Sequence, residues 1–185
     1  MIKMSTLFKK DHNDLGLVID GEYNDENRWV FDAGVRSIQK FNGTACAMIN
    51  GLFYKRFDAK KGREIPSSAI PCGEADPVTG HHPHWVLCDR RNSCDKWHWE
   101  AFNNSPNIPD GTYELCGVKI NGNHERIHAT HKLIPHANLT CLFSTEEVLV
   151  NPKEFMRELD IEGIVFHHPD GRMCKIRKSD FGLKR

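Results

Sequence analysis

The sequence has no run of apolar residues near the roughly 18 that a helix needs to cross a bilayer, so no membrane span is expected. The opening Met-Ile-Lys-Met-Ser-Thr-Leu-Phe-Lys-Lys lacks the apolar centre of a secretory signal, which predicts a cytoplasmic protein. No two cysteines are spaced Cys-x-x-Cys. The seven, at positions 46, 72, 88, 94, 116, 141 and 174, are scattered and odd in number, so they are expected as thiols in a reducing compartment. Excess charge is also missing. The 25 Lys and Arg balance 25 Asp and Glu, so net charge gives no argument for a nucleic-acid partner, and any basic footprint must be local. No internal repeat or low-complexity tract is visible, and 185 residues suit a single domain with a real core.

Two local basic clusters are present: Lys55, Arg56, Lys60, Lys61 and Arg63, then Arg172, Lys175, Arg177, Lys178, Lys184 and Arg185. By themselves they read as solvated surface. The 11 histidines invite a metal reading. Cys88, Cys94 and His98 offer three ligands without a clean fourth, however, and His81, His82 and His84 fall in a Gly- and Pro-rich loop. Structural zinc sites use tighter paired spacing, so these are read as loop and surface residues.

Short apolar runs broken by glycines between Leu15 and Val35, such as Leu17-Val18-Ile19 and Trp29-Val30-Phe31, predict strands of a meander. Asn50-Gly51 between two apolar runs predicts a hairpin over 44–57 with a type I′ turn. Residues 58–110 read as a loop-rich insertion, with Trp85-Val86-Leu87 and Trp97-His98-Trp99 as possible strands. Asp110-Gly111 opens a strand to Val118. Ser144 and Glu147 form a capping box for a helix that Pro152 splits, the second part starting near Asn151. Ile161 to His167 and Met173 to Arg177 predict a final hairpin through Asp170-Gly171. Many strands and few helices indicate an α+β fold with mostly antiparallel sheets.

One ordered set of residues carries chemistry. Lys40-Phe41-Asn42-Gly43 is followed by Arg56 on the next hairpin strand, Glu114 in an acidic strand, Glu162-Gly163-Ile164-Val165-Phe166, and Lys175-Ile176-Arg177-Lys178. Each piece is short; order and spacing give the set its weight. Together they resemble the covalent nucleotidyltransferase superfamily of DNA ligases, RNA ligases and capping enzymes. Within it, the chain is similar to the small ATP-dependent 5′-to-3′ RNA ligases with a human member, over roughly residues 36–182, with Leu133-Ile134-Pro135-His136 adding to the likeness.

That resemblance implies one minimal adenylation domain over 1–185, with no OB domain after it. It implies Lys40 as the nucleophile that carries AMP, Lys175 and Glu162 as its catalytic partners, and Gln39, Gly43, Arg56, Glu114, Arg177 and Lys178 around the nucleotide. Glu162 and Glu114 are hard oxygen ligands for Mg²⁺ or Mn²⁺, Glu162 leaning to metal and Glu114 to ribose. Lys175 and Lys178 are candidates to favour the uncharged amine of Lys40 and to neutralise phosphate. Gln39 is a candidate for adenine recognition. The implied reaction uses ATP and joins a 5′-phosphate to a 3′-hydroxyl on RNA, as in RNA repair. The alternatives are a GTP-using capping guanylyltransferase and a non-catalytic nucleotide- or RNA-binding module. Two departures stand out. The usual aspartate of the lysine motif is Asn42, which keeps hydrogen-bonding capacity and loses charge. The second basic residue of the last motif is Arg177, which shares a strand face with Lys175, whereas Lys178 points away.

Overall fold

The computed structural model describes residues 4–11, 13–14, 16–60, 62–76, 80–137, 139, 141 and 143–185. Strands are β1 Ser5–Thr6, β2 Phe8–Lys10, β3 Val18–Tyr23, β4 Arg36–Lys40, β5 Thr44–Ile49, β6 Leu52–Ala59, β7 Ile70–Pro71, β8 His82–Leu87, β9 Gly111–Cys116, β10 Lys132–Pro135, β11 Gly163–His167 and β12 Met173–Arg177. Helices are α1 Lys96–Asn103, α2 Thr145–Val150 and α3 Pro152–Glu158, with short 3-10 turns between elements. This is the α+β class with mostly antiparallel sheets that the sequence predicts; β1 against β12 is a parallel pairing. No helix among the described residues is long and apolar enough to cross a membrane.

The chain divides into two compact units, Asn42–Asn138 and Met4–Phe41 with Leu139–Arg185. The boundary falls inside the lysine motif, between Phe41 and Asn42.

The Asn42–Asn138 unit is built on a six-stranded sheet in the order β10-β9-β5-β6-β8-β7. The expected hairpin is there: Asn50 and Gly51 both take left-handed φ, 51° and 73°, as a type I′ turn requires. Asp110 secures it, its carboxylate accepting the Asn50 and Gly51 amides at 2.7 and 3.0 Å. One sheet face, with Cys46, Met48, Phe53, Tyr113 and Leu115, packs on Trp99, Ala101 and Phe102 of α1. Trp97-His98-Trp99 is therefore helical and not a strand. Helical spacing lets Trp99 and Phe102 meet Phe53 together, at ring separations of 5.7 and 5.3 Å. Residues 58–110 thus contain β7, β8 and α1.

The second unit holds the sheet β1-β12-β11-β4 and the ribbon β2-β3. Ile164, Phe166, Cys174 and Ile176 line the core face of the sheet with Leu7, Phe8, Trp29, Val148 and Met156. Trp29-Val30-Phe31 is part of a 3-10 helix, Asp25–Phe31, where a strand was expected. Buried Asn27 and Val30 fall three residues apart, the period of that helix, and the Asn27 amide is satisfied by the Thr6 carbonyl at 2.7 Å. Leu15, where the expected meander began, lies outside the described residues.

The helix is split at Pro152 as expected, with the Ser144 half of the capping box in place. Ser144 Oγ accepts the Glu147 amide at 3.5 Å, and Asn151 caps α3 by accepting the Glu154 amide at 3.2 Å, with Pro152 in its first turn. β11 is central in its sheet, and a Cβ at Gly163 would lie 2.2 Å from the Ile176 carbonyl oxygen. Gly163→Ala is expected to lose about 1–3 kcal/mol of stability, the cost of overpacking against backbone that cannot yield, read as a lower midpoint in urea denaturation.

Candidate active site

In the Met4–Phe41 and Leu139–Arg185 unit, β11 sets the site by register. Gly163 stands opposite Lys40 on one side and Arg177 on the other, and Val165 stands between Ile38 and Lys175. Directly opposed residues, and residues two apart, share a sheet face. Lys40, Lys175 and Arg177 therefore lie on the face away from Ile164 and Ile176, which are in the core. Gly163 itself is closely packed, because a Cβ there would stand 2.2 Å from the Ile176 carbonyl oxygen and 3.0 Å from Arg177 Cα.

Glu162, one residue before β11, meets Lys40 directly: Lys40 Nζ donates to Glu162 Oε2 at 2.7 Å and to the Phe41 carbonyl at 3.2 Å. Both side chains keep about a fifth of their surface exposed, 22% and 23%, so the pair is accessible to a substrate. Arg177 is held by Asp180, whose Oδ1 accepts Nη2 at 2.8 Å while Oδ2 accepts the Arg177 amide at 2.9 Å. That bond raises the Arg177 pKa against the opposing effect of burial. Asp180 is 1% exposed and also accepts Lys10 Nζ at 2.9 Å. Burial alone would raise the Asp180 carboxyl, but the Arg177 and Lys10 hydrogen bonds outweigh it and hold the carboxyl below its ordinary value.

Lys175 has no such partner among the described residues. Burial first, then the nearby Arg177 and Lys40 cations, bring its pKa down to about 8. Gln39 pairs with Ile164, on the opposite sheet face from Lys40. Lys178 leaves the strand to open a 3-10 turn, its amide donating to the Glu162 carbonyl at 2.9 Å, and it is buried.

In the Asn42–Asn138 unit, Gly43 opens toward β9. A Cβ there would stand 2.3 Å from the Leu115 carbonyl oxygen and 2.6 Å from Glu114 Cγ, so only glycine fits. The Gly43 amide donates to Glu114 Oε1 at 3.0 Å. Glu114 Oε2 lies 3.0 Å from His136 Nε2, and His136 Nδ1 lies 3.0 Å from Thr112 Oγ1. Asn42 donates its amide to Glu125 Oε1 at 2.8 Å, and Asn121 Nδ2 donates to the Gly43 carbonyl at 2.6 Å.

Arg56 shares the Glu114 face of the sheet, through the pairs Ala45–Glu114 and Ala47–Tyr54, and its Nε binds Asp58 at 2.9 Å. Its neighbour Lys55 turns to the α1 face and ion-pairs with buried Asp95. The first basic cluster is thus split between two faces; Lys61 lies outside the described residues.

The structure therefore joins Lys40 with Glu162, brings Lys175 and Arg177 to the same face, and joins Gly43 with Glu114. His136, Glu125, Asn121, Asp180 and Lys10 were not assigned from sequence. His136 ends the Leu133-Ile134-Pro135-His136 run, and Asp180 left a local signal as a carboxylate three residues after Arg177 at a turn. Among the described residues, no group of three or more His, Cys, Asp or Glu is placed to hold a metal ion. Cys94 is exposed, whereas Cys88 is buried, with a thiol pushed up to about 12 first by burial.

No family model matches the sequence. The chain is similar to proteins named RNA ligase 1. The one from Pongo abelii is 31% identical over 64% of this chain and 47% of that protein. The Mus musculus protein is 29% identical over the same shares, 64% and 47%. The Danio rerio protein is 26% identical over 57% of this chain and 42% of its own length. The chain spans about half the length of the curated relatives it matches. These relatives support an RNA ligase family for the chain.

The Lys175 shift has a consequence for stability. Its folded value of about 8 lies below the ordinary 10.5, so between these values the unfolded chain binds the extra proton. This group therefore adds stability as pH rises through about 8 toward 10.5 and penalises the folded state below that window. The stability difference between wild type and Lys175→Met, from urea titrations across the window, is expected to shift in favour of wild type as pH rises. A pH-independent difference would contradict the assignment.

Proposed function

We propose that the chain performs ATP-dependent RNA ligation through a lysine–AMP intermediate on Lys40. The observation that carries this reading is the Lys40–Glu162 contact at 2.7 Å, on a sheet face shared with Lys175 and Arg177. A structural ion pair does not need the two further cations on that face. The similarity to proteins named RNA ligase 1 supports the same reading.

In the first step the Lys40 Nζ lone pair attacks the α-phosphorus of ATP. A P–N bond forms, the bond to the bridging oxygen breaks, and pyrophosphate leaves. The ammonium bound to Glu162 cannot attack, so the pair must open or its proton must pass to the carboxylate 2.7 Å away. Lys175 and Arg177 supply positive charge beside the position the phosphate takes, where electrostatic stabilisation dominates phosphoryl transfer. In the second step AMP passes to an RNA 5′-phosphate and frees Lys40. In the third, an RNA 3′-hydroxyl attacks the phosphorus of that 5′-phosphate, the bond to the oxygen bridging to AMP breaks, the phosphodiester forms and AMP leaves.

In the other unit, Glu114 and Arg56 are the groups for ribose and phosphate oxygens. The Glu162 and Glu114 carboxylates are hard oxygen donors that fit Mg²⁺ or Mn²⁺. A divalent ion held by either carboxylate would neutralise phosphate charge.

Incubation with α-labelled ATP and Mg²⁺ or Mn²⁺, followed by a denaturing gel, tests this. Wild type is expected to carry covalent label and Lys40→Ala none. Glu162→Gln is expected to label on the order of a hundredfold more slowly, the usual effect of removing a proton-transfer group. An unlabelled wild type, or label that survives Lys40→Ala, would overturn the proposal. Label from GTP in place of ATP would favour the capping-type reaction.

A further inference from the structure

We infer that Glu125 is a positioning residue for the turn after Lys40, supplying the carboxylate that Asn42 does not. This deepens the ligase reading and rests on it for its consequence for rate. The geometry itself stands in the Asn42–Asn138 unit alone.

The two consecutive amides of the turn each meet a carboxylate: Asn42 donates to Glu125 at 2.8 Å and Gly43 to Glu114 at 3.0 Å. Asn121 completes the hold, donating Nδ2 to the Gly43 carbonyl at 2.6 Å and to Asn42 Oδ1 at 3.3 Å. The turn is thus fastened by side chains and not by a backbone ladder. Glutamates from two other segments thus satisfy the two amides.

This arrangement accounts for Asn42. An aspartate at that position would bring a third carboxylate beside Glu125 and Glu114, and like charges so close disfavour the ionised forms. The neutral amide keeps the oxygen that accepts from Asn121 without adding charge. The negative charge at the turn therefore comes from Glu125, 83 residues along the chain.

The segment that delivers it is shaped at a cost. Asn121, Asn123 and Arg126 take left-handed φ of 42°, 54° and 49°. Asn123 locks the bend, its Oδ1 accepting the Ile127 amide at 2.9 Å and its Nδ2 donating to the Ile127 carbonyl at 3.0 Å. Strain of this kind persists where the surrounding contacts hold it.

The test moves the charge between the two positions. Glu125→Gln keeps an acceptor oxygen and removes the charge, Asn42→Asp adds one, and the double variant Asn42→Asp/Glu125→Gln carries it at 42 alone. Lysine–AMP formation is measured for all four proteins over a range of ATP concentrations, alongside their melting temperatures. Each single variant is expected to slow adduct formation at saturating ATP about tenfold, with little change in the ATP concentration at half-maximal rate, and the double to recover within about threefold of wild type. Glu125→Gln reacting at the wild-type rate, or a double variant no faster than the slower single, would overturn the inference. Should wild type form no adduct, the ligase reading falls, and melting decides on Glu125 by itself. A double variant that melts above Asn42→Asp supports the charge relation, and strictly additive shifts refute it.

Discussion

The close approach of β11 to β12 at Gly163 is the constraint on which the site depends. With hydrogen there in place of a side chain, the Ile176 carbonyl can sit where a Cβ would be 2.2 Å away. That fixes the register in which Gly163 faces both Lys40 and Arg177, and with it the shared face of Lys40, Lys175 and Arg177. A slip by one residue would send those cations into the core among Ile164, Phe166 and Ile176, where unpaired charge is prohibitively costly. The apolar core face and the cationic outer face therefore enforce the same register.

Charge on that outer face is arranged unevenly. Lys40 has Glu162, and Arg177 and Lys10 converge on Asp180, which is 1% exposed. Lys175 makes no ion pair of its own among the described residues, and burial brings its pKa down to about 8. The sequence places the mutual repulsion of lysines on Lys40; in the structure burial first, then the Arg177 and Lys40 cations, lower the Lys175 pKa, with Asp180 and Glu162 opposing.

Much of this was legible because it is local or periodic. Asn50-Gly51 names its own turn, Ser144 and Asn151 name their helix starts, and alternation puts Lys175 and Arg177 on one face. Trp97-His98-Trp99 was misread as a strand because a short aromatic run does not reveal its period. Ala101 and Phe102, which settle it, act through a partner, Phe53, more than forty residues earlier. Gln39 is adjacent to Lys40 in sequence, and adjacency on a strand places the two on opposite faces.

The hardest feature to read was Asn42. Judged within its own motif it is a defect, a neutral residue where charge is usual. Its explanation lies in a segment remote in sequence, with no helical or strand period to announce it, whose left-handed asparagines bring Glu125 to the Asn42 amide. The lysine motif is also divided: Lys40 is fixed by its strand register in one unit, and Gly43 by Glu114 in the other. The position of Lys40 and the conformation of the turn are thus set by separate contacts. A substitution in the turn can be compensated by a side chain that never appears in the motif, so departure at one motif position carries little weight until the partners of its backbone are known.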